Sequence, residues 1–116
     1  MYLLPWQEES WLQVVKQAEN NSLPHAFLFS GMEGIGKLDF ARELSAFLLC
    51  ENTQVSSIHA AKACGSCKQC KLLLSETHPD FKLLLPDEGS AVLKIDTIRG
   101  LVNFFHNSSM QGGRKV

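Results

Sequence analysis

Apolar residues recur at helical spacing in two segments of the chain, near its start and after a glycine-rich loop. An apolar residue every three or four positions predicts amphipathic helices over residues 7–19 and about 36–49. The first apolar stripe consists of Trp11, Val14, Val15 and Ala18. The second consists of Phe40, Leu44, Phe47 and Leu48. Each stripe predicts one buried helix face.

Short continuous apolar runs separate these helices and predict strands. Residues 26–29, Ala-Phe-Leu-Phe, predict a strand buried on both faces, as in a parallel sheet. Residues 81–85 are a second candidate, and residues 114–116 the start of a third. Between these two, Asp96 is predicted to cap a helix. Its apolar side would consist of Ile98, Leu101, Val102 and Phe105. Alternating strands and helices predict an α/β fold.

The loop between the first strand and the second helix carries a phosphate-binding pattern. Gly31, Gly34, Gly36 and Lys37 match G-x-x-x-x-G-K. Glycines let successive backbone N–H groups point inward as an anion nest, and the lysine can reach the β and γ phosphates. The loop therefore predicts a nucleotide-binding fold. The competing interpretation is a plain strand-to-helix turn without a ligand.

The residue after the lysine departs from that pattern. Position 38 is Leu, where a Ser or Thr hydroxyl normally holds Mg²⁺. An acidic Walker B residue does not appear before Val116, and Glu33 places negative charge inside the loop. We therefore expect no hydrolysis by this chain, and weak or absent nucleotide binding.

Four cysteines form the second candidate site. Cys64, Cys67 and Cys70 are spaced by two residues, and Cys50 lies upstream. Four thiolates match a closed tetrahedral Zn²⁺ site, which would hold residues 50–70 against the end of the second helix. Unliganded thiols, disulfides and an iron–sulfur cluster are the alternatives, although the cluster pattern lacks its fourth, proline-flanked cysteine. His59 and His78 are further possible ligands, but four cysteines already complete the shell.

Composition limits the remaining functions. The 116 residues suffice for one modest core, and a net charge of −1 gives no electrostatic case for strong nucleic-acid binding. A free-standing zinc module that binds nucleic acid is disfavoured for the same reason. No apolar stretch approaches a membrane span, and the acidic N-terminus predicts no signal peptide. We therefore expect a cytoplasmic protein, where cysteines bind metal more often than they form disulfides.

This combination of a phosphate loop and a four-cysteine module resembles the bacterial clamp-loader subunits of DNA polymerase III, the delta-prime family in particular. The resemblance covers essentially the whole chain, and its most specific parts are the cysteine module and Thr77-His78-Pro79-Asp80. Further matching segments are Leu4-Pro5-Trp6, residues 23–31, residues 94–99 and residues 111–116. The related gamma/tau family normally keeps Thr after the loop lysine, so Leu38 favours delta-prime over a gamma/tau-type ATPase.

The resemblance implies a P-loop AAA+ three-layer core over residues 1–116, with the zinc module inserted at 50–70. It also implies that the chain is an N-terminal fragment lacking the lid and collar domains, with the apolar strand at 26–29 left without its neighbours. Such a subunit joins gamma/tau and delta in a pentameric ring that loads the sliding clamp onto primed DNA. It is part of a DNA-directed DNA polymerase holoenzyme, binds structural Zn²⁺, and is not itself catalytic.

Overall fold

The computed structural model describes residues 4–53, 62–110 and 114–116. The chain divides into two compact units, residues 1–71 and 72–116. A 3-10 turn at Pro5–Gln7 precedes the first helix. The helices are α1 (Glu8–Glu19), α2 (Lys37–Leu49), α3 (Lys68–Leu74), α4 (Ile95–Arg99) and α5 (Leu101–His106). None of the helices in the described ranges is long and apolar enough to cross a membrane.

The core of the first unit lies between α1 and α2, so both helix predictions from the N-terminal half are confirmed. Trp11 of α1 meets Phe40 and Phe47 of α2 edge to face, at centroid distances of 5.8 and 5.6 Å. Such contacts add to the free energy gained by burying the rings themselves. The other buried members of this cluster are Val14, Val15 and Leu44.

The strand predicted at 26–29 does not form, and residues 4–53, 62–110 and 114–116 contain no β-strand. Phe27 and Phe29 pack on the α1–α2 core, and Phe29 lies 5.1 Å from the Phe40 ring. Leu28, between them, is 93% exposed. The segment is therefore covered on one side only, and the prediction of burial on both faces is wrong for this chain. A sheet needs hydrogen-bonded neighbours, and the described residues supply none here.

In the second unit, residues 81–85 also form no strand, which corrects the second strand prediction. Two backbone hydrogen bonds nevertheless join this segment to Val116. The Val116 N–H donates to the Asp80 carbonyl and the Lys82 N–H donates to the Val116 carbonyl, each at 2.9 Å. Val116 thus bonds to both residues that flank Phe81, which is the hydrogen-bond pattern of two parallel strands. The three-residue segment at 114–116 thus pairs without forming a strand.

The helix predicted after Asp96 is present as two short helices, α4 and α5, which meet at Gly100. The predicted cap is wrong, because Lys94 occupies the N-cap position and Asp96 lies in the first turn. The predicted apolar side is not a buried face, since Ile98, Val102 and Phe105 are exposed and Phe104 is buried. The Lys115 ammonium lies 4.6 Å from the Phe104 ring centroid.

A buried carboxylate organises the second unit. Asp80 is 0% exposed and accepts hydrogen bonds from the Met110 N–H at 2.7 Å and the Ser109 hydroxyl at 3.0 Å. His78 Nδ1 accepts from the Asp80 N–H at 3.0 Å, so this histidine has a structural role in the turn. Burial lowers the pKa of His78, partly offset by the charge of Asp80. The turn predicted at 111–113 lies outside the described residues.

Candidate metal centre and glycine loop

The four cysteines converge on one point in the first unit. Their sulfurs all lie within 4.8 Å of one another. Cys50 Sγ lies 3.9 Å from Cys67 Sγ, and Cys64 Sγ lies 4.0 Å from Cys70 Sγ. Cys50 follows the last residue of α2, Cys64 and Cys67 precede α3, and Cys70 lies within α3. The structure thus brings together every cysteine that the sequence singled out.

Backbone N–H groups surround these sulfurs. The Cys64 N–H and the Asn52 N–H each donate to Cys50 Sγ at 3.3 Å. The Cys67 N–H donates to Cys64 Sγ at 3.2 Å, and the Cys70 N–H to Cys67 Sγ at 3.5 Å. Gly65, between Cys64 and Cys67, has φ +75° and an open Cβ position. Donors directed at sulfur favour the thiolate, which is the form that binds metals.

These surroundings separate the pKa values of the cysteines. Backbone hydrogen bonds from Ser66 and Cys67 lower the pKa of Cys64 to about 6. Burial raises the pKa of Cys70 to about 12, and burial also raises the pKa of Cys50. Burial opposes ionisation of Cys67 too, but hydrogen bonds from the Cys70 and Glu51 backbones outweigh it and lower that pKa. The surroundings therefore favour the thiolate at Cys64 and Cys67 and the neutral thiol at Cys50 and Cys70.

The geometry suits a single metal ion. Sulfurs that bind one Zn²⁺ at 2.3 Å in a tetrahedron lie about 3.8 Å apart, close to the separations of 3.9 and 4.0 Å found here. A disulfide needs sulfurs about 2.05 Å apart, and all four cysteines are free. An iron–sulfur cluster distributes its ligands over several irons and therefore spreads their sulfurs further. The four cysteines could hold one metal ion.

The glycine loop lies immediately before α2. Gly36, with φ +88°, occupies the N-cap position, and the helix begins at Lys37. Lys37 Nζ donates to the Gly31 carbonyl at 2.7 Å, so the lysine spans its own loop. Leu38, at the position of the missing hydroxyl, is 42% exposed and lies outside the buried cluster. The predicted residues are therefore arranged as a loop closed by its lysine.

Two residues that the motif does not contain anchor this loop. The Trp6 indole N–H donates to the Ile35 carbonyl at 2.9 Å. The Gln7 amide donates to the carbonyls of Ile35 and Gly36, at 3.2 and 2.9 Å. A Cβ on Gly36 would lie 2.9 Å from Gln7 Nε2 and 2.8 Å from Leu4 Cδ1. No sequence signal marks Gln7 as an anchor, because its burial becomes apparent only in the fold.

A second polar pair lies beside the cysteines and was also missed by sequence reasoning. Gln69 Nε2 donates to Glu51 Oε1 at 2.8 Å. Glu51 adjoins Cys50, and Gln69 adjoins Cys70. Their positions next to these cysteines were the available signal, but the pairing depends on how the segments meet. His59 lies outside the described residues.

Comparison with known proteins gives a consistent result. A family model described as "DNA polymerase III, delta subunit" matches residues 6–116. DNA polymerase III subunit delta' of Pseudomonas aeruginosa is 40% identical over 114 residues, covering 98% of this chain and 32% of the relative. The protein of the same name from Yersinia pestis is 31% identical over 112 residues, covering 97% of this chain and 32% of the relative.

A match to a differently named subunit is weaker. DNA polymerase III subunit tau/gamma of Haemophilus influenzae is 28% identical over 123 residues, covering 96% of this chain and 16% of the relative. The chain spans about a third of the length of the delta' relatives it matches.

Proposed function

This chain belongs to the DNA polymerase III delta-subunit family whose curated relatives are delta' proteins, and we propose that it serves as the N-terminal part of a non-hydrolysing clamp-loader subunit. The subunit supports ATP-dependent loading of the sliding clamp onto primed DNA through contacts with its neighbours. Its partners are gamma/tau and delta in a ring of five subunits, in the cytoplasm. Family membership supports this assignment; the ring and the clamp are part of the proposal.

The observation that carries the non-hydrolysing role is the state of the glycine loop. Leu38 offers no oxygen to Mg²⁺, and the Lys37 ammonium that would meet phosphates donates to the Gly31 carbonyl. Phosphoryl transfer depends on a metal ion and on cations aimed at the phosphates. A nucleotide in this loop would have to displace the lysine contact and would still lack the metal ligand. Gly31, Gly34, Gly36, Lys37 and Leu38 thus form a degenerate phosphate loop without productive ATP binding.

The cysteine cluster supports a structural zinc ion held by Cys50, Cys64, Cys67 and Cys70. The sulfur separations and the full set of four thiols suit a closed site without an open coordination position. Such an ion contributes folding free energy directly and joins the end of α2 to the start of α3. It would have no role in chemistry.

The architecture we propose for the complete fold is the AAA+ P-loop core, with residues 50–70 as an inserted zinc module. The parallel hydrogen-bond pattern between the segment at Phe81 and Val116 supports this proposal, because strands of that core run parallel. The one-sided cover of Phe27 and Phe29 is also consistent with it, because a strand at that position needs neighbours on both sides. Lid and collar domains would be contributed by sequence other than these 116 residues.

The alternative is a gamma/tau-type ATPase that binds and hydrolyses ATP. The match to a tau/gamma subunit favours it. Position 38 argues against it, since hydrolysis would require a Mg²⁺ ligand from elsewhere near the loop.

Nucleotide titration with and without Mg²⁺ tests the two functions. We expect the wild-type protein alone to show no Mg²⁺-dependent affinity for ATP and no ATP turnover. Mixed with gamma/tau and delta proteins, it should add no turnover site of its own to the background activity of those proteins. Lys37→Ala is the control, and should leave that background unchanged. Mg²⁺-dependent ATP binding with turnover that Lys37→Ala abolishes would establish the ATPase function instead.

A further inference from the structure

We propose that Glu51 and Gln69 form a positioning pair that holds the two halves of the cysteine cluster at metal-binding distance. This inference rests on the proposed metal site and extends it to two residues that do not ligate the ion. Ligands that converge from separate segments bind a metal tightly only if the protein holds those segments together beforehand.

The pair joins the two segments that supply the ligands. Glu51 directly follows Cys50 at the end of α2, and Gln69 directly precedes Cys70 in α3. The side-chain bond between them, 2.8 Å long, links residues 18 positions apart. It therefore closes the same chain excursion that a metal ion would close through Cys50 and Cys70.

The surroundings give this bond a fixed direction. Gln69 is 4% exposed, so its amide is held by the packing of α3. Glu51 is exposed, and it contacts the second segment through its carboxylate. With these contacts in place, Cys50 Sγ lies 3.9 Å from Cys67 Sγ.

Loop-closure entropy explains why the pair should matter for affinity. Without the pair, the metal must supply more of the closure between Cys50 and the other ligands, and that entropic cost is taken from the binding free energy. Residues that support metal ligands typically change metal affinity about 10- to 100-fold. Because Glu51 is exposed to solvent, we expect an effect near the lower end, about 10-fold.

Co²⁺ is the probe for the experiment, because its visible spectrum reports both the affinity and the number of thiolate ligands. Glu51→Ala removes the acceptor, and Gln69→Leu removes the donor at similar volume. Each should weaken Co²⁺ binding about 10-fold with an unchanged four-thiolate spectrum, and the double variant should be no weaker than either single one. Glu51→Gln retains an acceptor oxygen without the charge, and should remain within about 2-fold of wild type.

Two further measurements distinguish the positioning role of the pair from a general effect on folding and from the existence of the metal site. Glu88→Ala, which removes another exposed carboxylate, should bind Co²⁺ as wild type does, and the far-ultraviolet circular dichroism of all metal-free variants should agree. Wild-type affinity in both Glu51→Ala and Gln69→Leu, or an equal loss in Glu51→Gln and Glu51→Ala, would overturn the positioning role alone. Failure of wild type to give a four-thiolate spectrum would overturn the metal site, and the inference with it.

Discussion

The cysteine cluster and the glycine loop lie at opposite ends of the same helix, α2, and differ in how far each is prepared for a ligand. At the cluster, four sulfurs from two segments converge within 4.8 Å, with backbone donors directed at them. At the loop, seven consecutive residues already contain the pattern, yet the lysine bonds to the loop itself. Proximity in sequence is therefore a poor guide to which of the two sites is ready to bind.

The difference follows from what each ligand requires. A metal ion needs a few ligand atoms at fixed distances. The cluster supplies four sulfurs, and backbone hydrogen bonds hold them in place. A nucleotide phosphate needs a free cation, inward N–H groups and a metal ligand together. The loop retains its glycines and its lysine, but the lysine is engaged and the hydroxyl is absent. We therefore expect the loop to keep its place before α2 without supporting phosphoryl transfer.

Loss of the metal should have the largest effect on the first unit. Structural zinc sites contribute roughly 10–16 kcal/mol of binding free energy to folding. Cys67→Ala removes a buried thiol of the proposed site, and should abolish stoichiometric zinc binding and make the chain more sensitive to protease. Ser66→Ala, next to it, removes no sulfur from the cluster and should retain one zinc per chain. Equal zinc content in the two variants, measured by atomic emission, would contradict a four-cysteine site.

Substitutions in the core should have the second largest effect, and they should distinguish Phe40 from Leu38. Phe40 is buried against Trp11 and Phe29, so Phe40→Ala should lower the free energy of unfolding by about 3–5 kcal/mol. Leu38 is largely outside the core, so Leu38→Thr should change it by less than about 0.5 kcal/mol. Urea denaturation followed by tryptophan fluorescence measures both. A large cost for Leu38→Thr would mean that packing, and not loss of nucleotide chemistry, accounts for leucine at this position.

The sequence predicted the features of the fold and the candidate site that depend on residues near one another in the chain, and not those that depend on distant residues. Helices α1 and α2 follow from local periodicity, and the cysteine spacing already indicates a shared ligand. The prediction of a strand at 26–29 failed because a strand needs neighbouring strands from elsewhere in the chain. The described residues supply no neighbouring strand beside Leu28. Contacts such as Gln7 with Gly36, or Asp80 with Met110, depend on the tertiary arrangement. No local pattern of residues encodes them.

A pair of glycine substitutions should have the next largest effect and tests how the loop is held. Gly34 and Gly36 both have positive φ, near +85° and +88°. A Cβ at Gly34 meets nothing within 4 Å, whereas one at Gly36 meets Leu4 and Gln7 below 3.0 Å. Gly34→Ala should cost about 1 kcal/mol from backbone strain alone, and Gly36→Ala should cost more. Equal melting temperatures for the two variants would contradict anchoring of the loop by the N-terminal turn.

The smallest predicted effect concerns Glu43, on α2 between the two sites. Burial raises the pKa of its carboxyl, with a further contribution from Asp39 and an opposing one from Lys62. A carboxyl whose pKa is higher in the folded than in the unfolded chain destabilises the folded state above its unfolded pKa. Glu43→Gln should therefore raise the melting temperature at pH 7, and the gain should decrease as the pH falls toward 5. A gain that grows on acidification would have the wrong sign.

Native mass spectrometry of the protein with equimolar Zn²⁺ and excess Mg²⁺-ATP tests the contrast between the two sites most directly. The mass of the folded species reports both ligands at once. We predict one zinc ion per chain and no retained nucleotide. A species carrying stoichiometric Mg²⁺-ATP, or a folded species without zinc, would contradict the central claim that the cysteine cluster binds its ligand and the glycine loop does not.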